Sequence, residues 1–219
     1  MFAQVLKAQW WQTRQVVVTF VVLAFAAPLT SVYYGSGLAT SDTGHVAGWL
    51  QASEALGTAI PVIALFLGVF VGMAAWSADH AGRHVYALSL PVSRPQFVLL
   101  RFGAGVALLL PPILSLGLGA AVATMAVDLP VGLHAYPLQL TMRFALASLA
   151  CFAIFFSISI ATKRALLLTL GGVGGILLAD LLLKSLGNET SVAETVLQLL
   201  TRFPGPLSIL VGRWALFDV

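Results

Sequence analysis

Five long apolar runs limit what this chain of 219 residues can fold into. A helix needs about 20 mostly apolar residues to cross a membrane, and the backbone polar groups of such a segment must be satisfied within it. The runs therefore predict an all-α integral membrane protein, a polytopic helical bundle with five spans in residues 16–183 of a single transmembrane domain, 1–219. The third run is over-long, and Pro111-Pro112 in its middle predicts a kink. The five spans are Val16 to Tyr34, Gly57 to Trp76, Phe97 to Val127, Leu140 to Ala161 and Ala165 to Leu183.

The charge content agrees with a membrane location. Only 9% of the residues are charged, against about 25% in soluble domains, so the chain lacks the polar surface of a water-facing protein. A net charge of +3 would suit nucleic-acid binding in a soluble protein. Here the basic residues stand at the ends of apolar runs, so we expect membrane lipid and no nucleic acid as a partner. The single cysteine, Cys151, excludes a disulfide within the chain.

The distribution of Lys and Arg predicts the orientation. With a cytoplasmic N-terminus, seven of the 11 basic residues lie on the inner side and four on the outer side, as the positive-inside rule expects. The outward-facing segment 36–56 contains no Lys or Arg. The inner set is Lys7, Arg14, Arg83, Arg94, Arg101, Lys163 and Arg164, and the outer set is Arg143, Lys184, Arg202 and Arg213.

The first 15 residues, MFAQVLKAQWWQTRQ, have an amphipathic pattern. Leu6 and Trp10 recur at helical spacing, while Lys7 takes another face. Two tryptophans beside basic residues suit the head-group layer. The pattern favours an interfacial elbow helix over residues 1–15, lying on the inner leaflet before the first span. The alternative is a cytoplasmic extension of that span.

The most polar stretch, DHAGRHVYALSLPVSRPQF from Asp79 to Phe97, lies between the second and third runs. Val85, Tyr86 and Leu88 could form one apolar side of a short helix, which Pro91 would end because proline disfavours helical geometry in the preceding residue. A soluble partner that pushed on such a helix would move both flanking spans together. The alternative, on charge alone, is a solvated turn that obeys the positive-inside rule.

Within this stretch, Asp79-x-x-Gly82 followed by Leu88-x-Leu90-Pro91-Val92-Ser93-Arg94 resembles the cytoplasmic loop between spans two and three of ABC-2-type permeases. These are the membrane subunits of a class of ABC transporters that export their cargo. The resemblance implies that the loop is a coupling helix, which docks into a separate ATP-binding cassette ATPase subunit. It gives docking roles to Asp79, Arg83, His84, Tyr86, Leu88, Pro91 and Arg94.

The resemblance also implies how the rest of such a system is arranged. The partner ATPase would bind ATP and Mg²⁺, so this chain would be no enzyme and would hold no cofactor. A second permease copy, in a homodimer or a heterodimer, would complete the cargo path. The chain would be a multi-pass protein of the inner (plasma) membrane. The sequence itself contains no Gly-x-x-x-x-Gly-Lys-[Ser/Thr] P-loop.

The tail departs from the six spans of that family. Arg202 and Arg213 interrupt its apolar content, so residues 184–219 cannot form one regular span. A Pro204-Gly205-Pro206 turn splits them, and they resemble the family's two outer re-entrant half-helices. We expect a sixth span either to be missing from the chain or to be absent in a shorter variant, and we expect the tail on the outer side. The half-helices would be Val192 to Phe203 and Leu207 to Phe217.

Asp180 carries a charge inside the fifth run, which is costly if it faces lipid. It could contact an ion or the cargo on the transport pathway. It could also pair with Lys184, one helical turn later and near the outer head groups. His80 and His84 are spaced for a metal on a helix, but only Asp79 stands nearby as a third ligand, so we expect no metal site.

Two glycine pairs, Gly68/Gly72 and Gly171/Gly175, have the spacing of close helix packing.

Three classes of function remain. The first is a permease that exports a cargo, for which an amphipathic or lipid-like molecule fits the few polar groups better than a free ion. The second is a membrane-embedded scaffold or assembly subunit without transport activity. The third, an integral-membrane enzyme, has the least support because no catalytic constellation faces one side of the membrane.

Overall fold

The computed structural model of the chain describes residues 1–38, 45–81, 93–127, 132–162, 164–185, 191–202, 205, 207–212 and 214–218. About 86% of the described residues are helical, which confirms the all-α class. The helices are α1 (Phe2–Leu38), α2 (His45–Ala81), α3 (Arg94–Met125), α4 (Pro137–Ala161), α5 (Ala165–Ser185) and α6 (Val192–Thr201).

Four helices form a bundle in which consecutive helices are not always neighbours. α1 packs on α2 and α3, and α4 packs on the same two helices. α2 and α3 therefore face each other across the bundle, and they contact each other far less than either contacts α1.

The two ends of this bundle differ. α1 and α3 run in one direction and α2 and α4 in the other. The contact of Gln9 near the start of α1 with Arg101 near the start of α3, and the contact of Gln12 with Ser77 near the end of α2, show which helix ends lie together. We call the end with the starts of α1 and α3 and the ends of α2 and α4 the loop end. It carries the two residues that flank the segment 82–92. The opposite end is the tail end.

Small residues let the bundle helices approach closely. A Cβ atom at Gly68 of α2 would lie 2.6 Å from the Cβ of Cys151, and one at Gly72 would lie 2.9 Å from the backbone nitrogen of Phe156, both on α4. Neither position has room for a side chain. The close packing predicted for the Gly68/Gly72 pair is therefore confirmed.

Among the described residues, four helical stretches are long and apolar enough to cross a membrane: Phe2–Tyr34, Gly57–Ser77, Arg94–Met125 and Pro137–Ala161. They contain the first four predicted spans almost entirely. The fifth run is also helical, as α5, but its apolar part, Leu167–Leu183, is shorter than the other four. A membrane crossing by α5 stays a prediction.

α5 contacts little of the chain besides α4 and α6. A Cβ atom at Gly171 or Gly175 would meet none of the described atoms within 4 Å, so the close packing predicted for this pair is not met within the described part of the chain. The apolar side chains along α5 are exposed, among them Leu167, Leu168, Leu170, Val173, Leu178, Leu181 and Leu182.

The separate elbow helix expected over residues 1–15 is not observed. α1 runs from Phe2 to Leu38 without a break, because the sequence has no Gly or Pro before Pro28 that would interrupt its hydrogen bonds. Gln9 and Thr13 are buried in the bundle. The structure therefore has the alternative arrangement, in which the first residues extend the first apolar helix.

The boundaries of α3 agree with the sequence. It begins at Arg94, with Ser93 at the N-cap position and Pro95 in the first turn, where proline is well tolerated. It continues through Pro111 and Pro112 to Met125. α2 begins at His45, well before its apolar run, because residues 45–56 contain mostly helix-forming residues.

The tail confirms one predicted short helix and corrects the other. α6, Val192–Thr201, matches the first half-helix. In place of a helix from Leu207 to Phe217, the chain forms a 3-10 turn, Ser208–Leu210, and then strand β2, Phe217–Asp218. Gly212 has φ +113°, which interrupts helical geometry. β2 pairs antiparallel with β1 (His134–Ala135) at the start of α4.

Candidate functional site

The predicted docking residues cluster around one short part of the chain at the loop end. Asp79 lies in the last turn of α2, and Arg94 is the exposed first residue of α3. The two therefore flank the segment 82–92. The other five docking residues lie outside the described residues, so their roles stay predictions; they are Arg83, His84, Tyr86, Leu88 and Pro91.

A buried arginine connects the two helices that flank this segment. Arg101 lies about two turns into α3, and its side chain is only 8% exposed. Its Nη1 donates a hydrogen bond to the carbonyl oxygen of Ala75 on α2. The guanidinium carbon lies 5.1 Å from the ring centre of Trp76 and 4.9 Å from that of Phe97, within the range of cation–π interactions.

Aromatic rings surround this arginine. The rings of Trp76 and Phe97 meet edge to face at 6.5 Å, which is a second contact between α2 and α3. Trp76 also lies 5.3 Å from Phe156 of α4. All three rings are buried, so they shield the guanidinium from water and lipid and strengthen its interactions.

α1 joins the same cluster through polar contacts. Gln9 Nε2 donates to the backbone oxygen of Arg101 at 3.4 Å, and Thr13 Oγ1 donates to the backbone oxygen of Gln9 at 2.8 Å. Ser77 Oγ lies 3.2 Å from Gln12 Oε1, nearer the loop end. We call Gln9, Trp76, Phe97 and Arg101 the Arg101 cluster.

Within the described part of the chain, some polar side-chain atoms of the Arg101 cluster are buried without hydrogen bonds. Among the described residues, neither the Gln9 side-chain oxygen nor the Trp76 indole N–H has a hydrogen-bond partner. A buried polar group without a partner destabilises the arrangement that contains it. The cluster is therefore not explained by optimal packing alone.

At the tail end, a second arginine holds the tail against α4. Arg143 Nε donates to the backbone oxygen of Ile209 at 3.3 Å, and Nη2 donates to that of Val211 at 2.5 Å. Its guanidinium carbon lies 4.8 Å from the centre of the Trp214 ring. Gly212 permits this approach, since a Cβ atom there would lie 2.7 Å from Nη2.

Asp180, the predicted pathway residue, lies in α5, and its side chain contacts the start of α6. It is buried, and its Oδ1 accepts a hydrogen bond from the backbone N–H of Val192 at 2.7 Å, while Oδ2 accepts one from Ser191 Oγ at 3.2 Å. A carboxylate is favourable at a helix N-terminus. Asp180 thus fastens α6 to α5. Its pairing with Lys184 stays a prediction, because the structure does not describe the Lys184 side chain.

A groove of about 630 Å³ opens between α1 and α3 in the half of the bundle nearer the tail end. Most of its lining is apolar, and the lining also includes four residues that carry hydroxyl groups, Thr30, Tyr33, Tyr34 and Ser115. An open groove with an apolar floor and a few hydroxyl groups suits an amphipathic chain. Its lining residues are Val21, Val22, Phe25, Ala26, Leu29, Thr30, Tyr33, Tyr34 and Ser115.

The sequence did not reveal the Arg101 cluster. The positive-inside rule accounted for Arg101 as one of several inner charges. Its described partners include a backbone carbonyl and two rings, which leave no charge pattern in the sequence. One signal was present: Arg101 stands about two turns inside an apolar run, whereas Arg94 stands at its end.

Within the described residues, no group of His, Cys, Asp or Glu side chains could hold a metal ion. The His80/His84 spacing falls on residues whose side chains the structure does not describe. Comparison with known proteins finds no matching family, no similar curated protein and no similar solved structure.

Proposed function

We propose that the chain is the permease subunit of an ABC exporter and that a separate ATP-binding cassette ATPase drives it through residues 79–94. The observation that carries the proposal is the connection of α2 to α3 by the Arg101 cluster at the loop end. Because this cluster connects the two helices that flank the segment, a force on the segment would displace both helices. The resemblance of its motif to the coupling loop of ABC-2-type permeases points to the same role.

In this proposal the loop end faces the cytoplasm and the tail end faces outward. The Lys and Arg distribution supports this orientation. Asp79 and Arg94 flank the docking helix, and a groove in the ATPase receives the apolar side of that helix. A second copy of the chain covers the exposed face of α5.

The proposed cargo is an amphipathic or lipid-like molecule. The groove between α1 and α3 supports this class, because it combines an apolar floor with the Thr30, Tyr33 and Tyr34 hydroxyl groups. Ligand sites commonly combine an apolar lining with a few polar groups that fix orientation.

The test is to replace Leu88 by Asp in the full chain. A docking helix buries an apolar side in its partner and uses charges at the rim mainly for orientation. We therefore expect Leu88→Asp to abolish copurification of a P-loop ATPase from detergent extract, together with the ATP hydrolysis of the sample, while membrane insertion is unchanged. The matched control is Leu199→Asp, which places the same charge on an exposed leucine of α6.

A smaller change gives a graded result. Arg94→Gln removes one rim charge, so we expect a modest loss of copurified ATPase that is more visible at low salt, where charges are less screened. If Leu88→Asp leaves copurification and ATP hydrolysis unchanged, docking through this segment is wrong, and the segment is a positively charged inner loop.

The second candidate is a membrane-embedded scaffold or assembly subunit. The exposed apolar side chains of α5 favour it as much as they favour a second permease copy, since any membrane partner could cover them. A scaffold would keep its partners in the Leu88→Asp variant and would show no ATP-dependent transport.

A further inference from the structure

The segment 82–92 connects α2 to α3 in the sequence, yet these two helices have few direct contacts. They lie on opposite sides of the bundle and are mainly connected through α1 and α4. Any force applied to the segment would therefore reach two helices that could shift separately. A direct link between them decides whether they move together.

Arg101 provides such a link at the loop end. Its guanidinium crosses the bundle to the Ala75 carbonyl and stacks near the rings of Trp76 and Phe97, one from each helix. Its own backbone oxygen accepts from Gln9, so α1 is attached at the same point. A single residue thus connects three helices, α2 and α3 through its side chain and α1 through its backbone oxygen.

Stability alone does not account for an arginine at this place. A buried arginine costs desolvation energy, and buried ion pairs are often replaced as a whole by well-packed apolar residues with no loss of stability, or with a gain. Charged side chains inside the membrane-spanning part of a protein are rare, and they mark function more often than packing. The unsatisfied Gln9 oxygen and Trp76 indole N–H in the described cluster also indicate an arrangement that is not at its energetic optimum.

We propose that Arg101 is a positioning residue that joins α2 and α3 into one rigid arm and thereby passes a displacement of residues 79–94 into the bundle. This inference rests on the proposed function. A planar guanidinium suits the role because it can donate to a carbonyl while it stacks on aromatic faces, which an ammonium group does less well.

The first test measures the connection between α2 and α3 in the chain alone, without the ATPase. Spin labels at Ser77→Cys and Gln96→Cys, in a Cys151→Ala background, report the distance between α2 and α3 at the loop end of the full chain. Ser77 and Gln96 are both exposed. We expect Arg101→Met to broaden the distance distribution at a temperature at which parent and variant are both folded, because the variant lacks the link between the two helices whatever its change in stability. Arg101→Lys should broaden it less.

The second test measures coupling in the complex. We expect the Arg101→Met chain to copurify with the ATPase as the parent does, while the stimulation of ATP hydrolysis by the permease falls about tenfold, as expected when a coupling free energy is lost. The matched control is Arg164→Met, which removes an exposed arginine beyond the end of α4 and should change neither measurement.

Three results would contradict the proposal. A narrow distance distribution with normal ATP hydrolysis in Arg101→Met would exclude the link. A large fall in melting temperature with an unchanged distance distribution, in both Arg101→Met and Arg101→Lys, would assign Arg101 to stability alone. If the parent chain binds no ATPase, the coupling role falls with the proposed function, and the distance measurement still decides whether Arg101 joins the two helices.

Discussion

At the residue scale, Gly68 sets how closely α2 and α4 approach. A Cβ atom there would lie 2.6 Å from the Cβ of Cys151 and 2.7 Å from the backbone nitrogen of Phe152. Two of the three nearest atoms belong to the α4 backbone, so a rotamer change cannot make room. Cys151 itself is fully buried and is the only cysteine of the chain.

Gly68→Ala should therefore separate α2 from α4. Overpacking of this kind costs about 1–3 kcal/mol, so we expect the melting temperature to fall by roughly 2–10 °C. The measurement is the temperature at which Cys151 begins to react with a fluorescent thiol reagent in detergent.

Gly171→Ala is the control for this prediction. A Cβ atom at Gly171 would meet none of the described atoms within 4 Å, and alanine is favoured over glycine in a helix by up to about 1 kcal/mol. The Cys151 reaction temperature should be unchanged or slightly higher. Equal effects of the two substitutions would show that the α2–α4 contact is looser than described.

At the element scale, the end of the tail is part of the bundle core. Trp214, Leu216 and Phe217 are almost completely buried, although they follow the last helix of the chain. Arg143 fixes the tail by hydrogen bonds to two of its carbonyl groups and by contact with the Trp214 ring. The strand pair β1–β2 holds its far end.

Arg143→Met should release this tail. Hydrogen bonds from a charged group are worth about 1.5–3 kcal/mol each, so local opening should become at least tenfold more frequent. The measurement is the rate of chymotrypsin cleavage after Trp214 in detergent. Arg202→Met removes an exposed arginine and should leave the rate unchanged; a similar increase in both variants would contradict the role of Arg143.

The elements show where sequence reasoning succeeds and where it fails. Apolar runs identified the helices because length and hydrophobicity suffice to define them. The starts of α1 and α2 were missed, since helix-forming residues also precede the apolar part. The tail was misassigned because the burial of Trp214 depends on Arg143, 71 positions earlier in the sequence, and no local pattern contains that contact. Arg101 was missed for the same reason.

At the scale of the whole molecule, the orientation in the membrane is predicted from the sequence. The fold does not test this prediction. A cysteine at Ser41 should react with a membrane-impermeant maleimide in intact cells, whereas one at Ala81 should react only after permeabilisation, because the positive-inside rule places the loop end in the cytoplasm. Buried Cys151 gives no background signal. Labelling of Ala81→Cys in intact cells, with none of Ser41→Cys, would reverse the orientation.

The burial of the tail also affects how the protein is made. The four long helices are synthesised well before residues 214–217, whose side chains complete the core between α2 and α4. Packing at the tail end therefore has to be a late step, and a reporter fused upstream of Trp214 would be attached to an unfinished bundle. A purification tag placed directly after Asp218 would press on a strand pair, whereas Met1 and Phe2 are exposed and leave room for one.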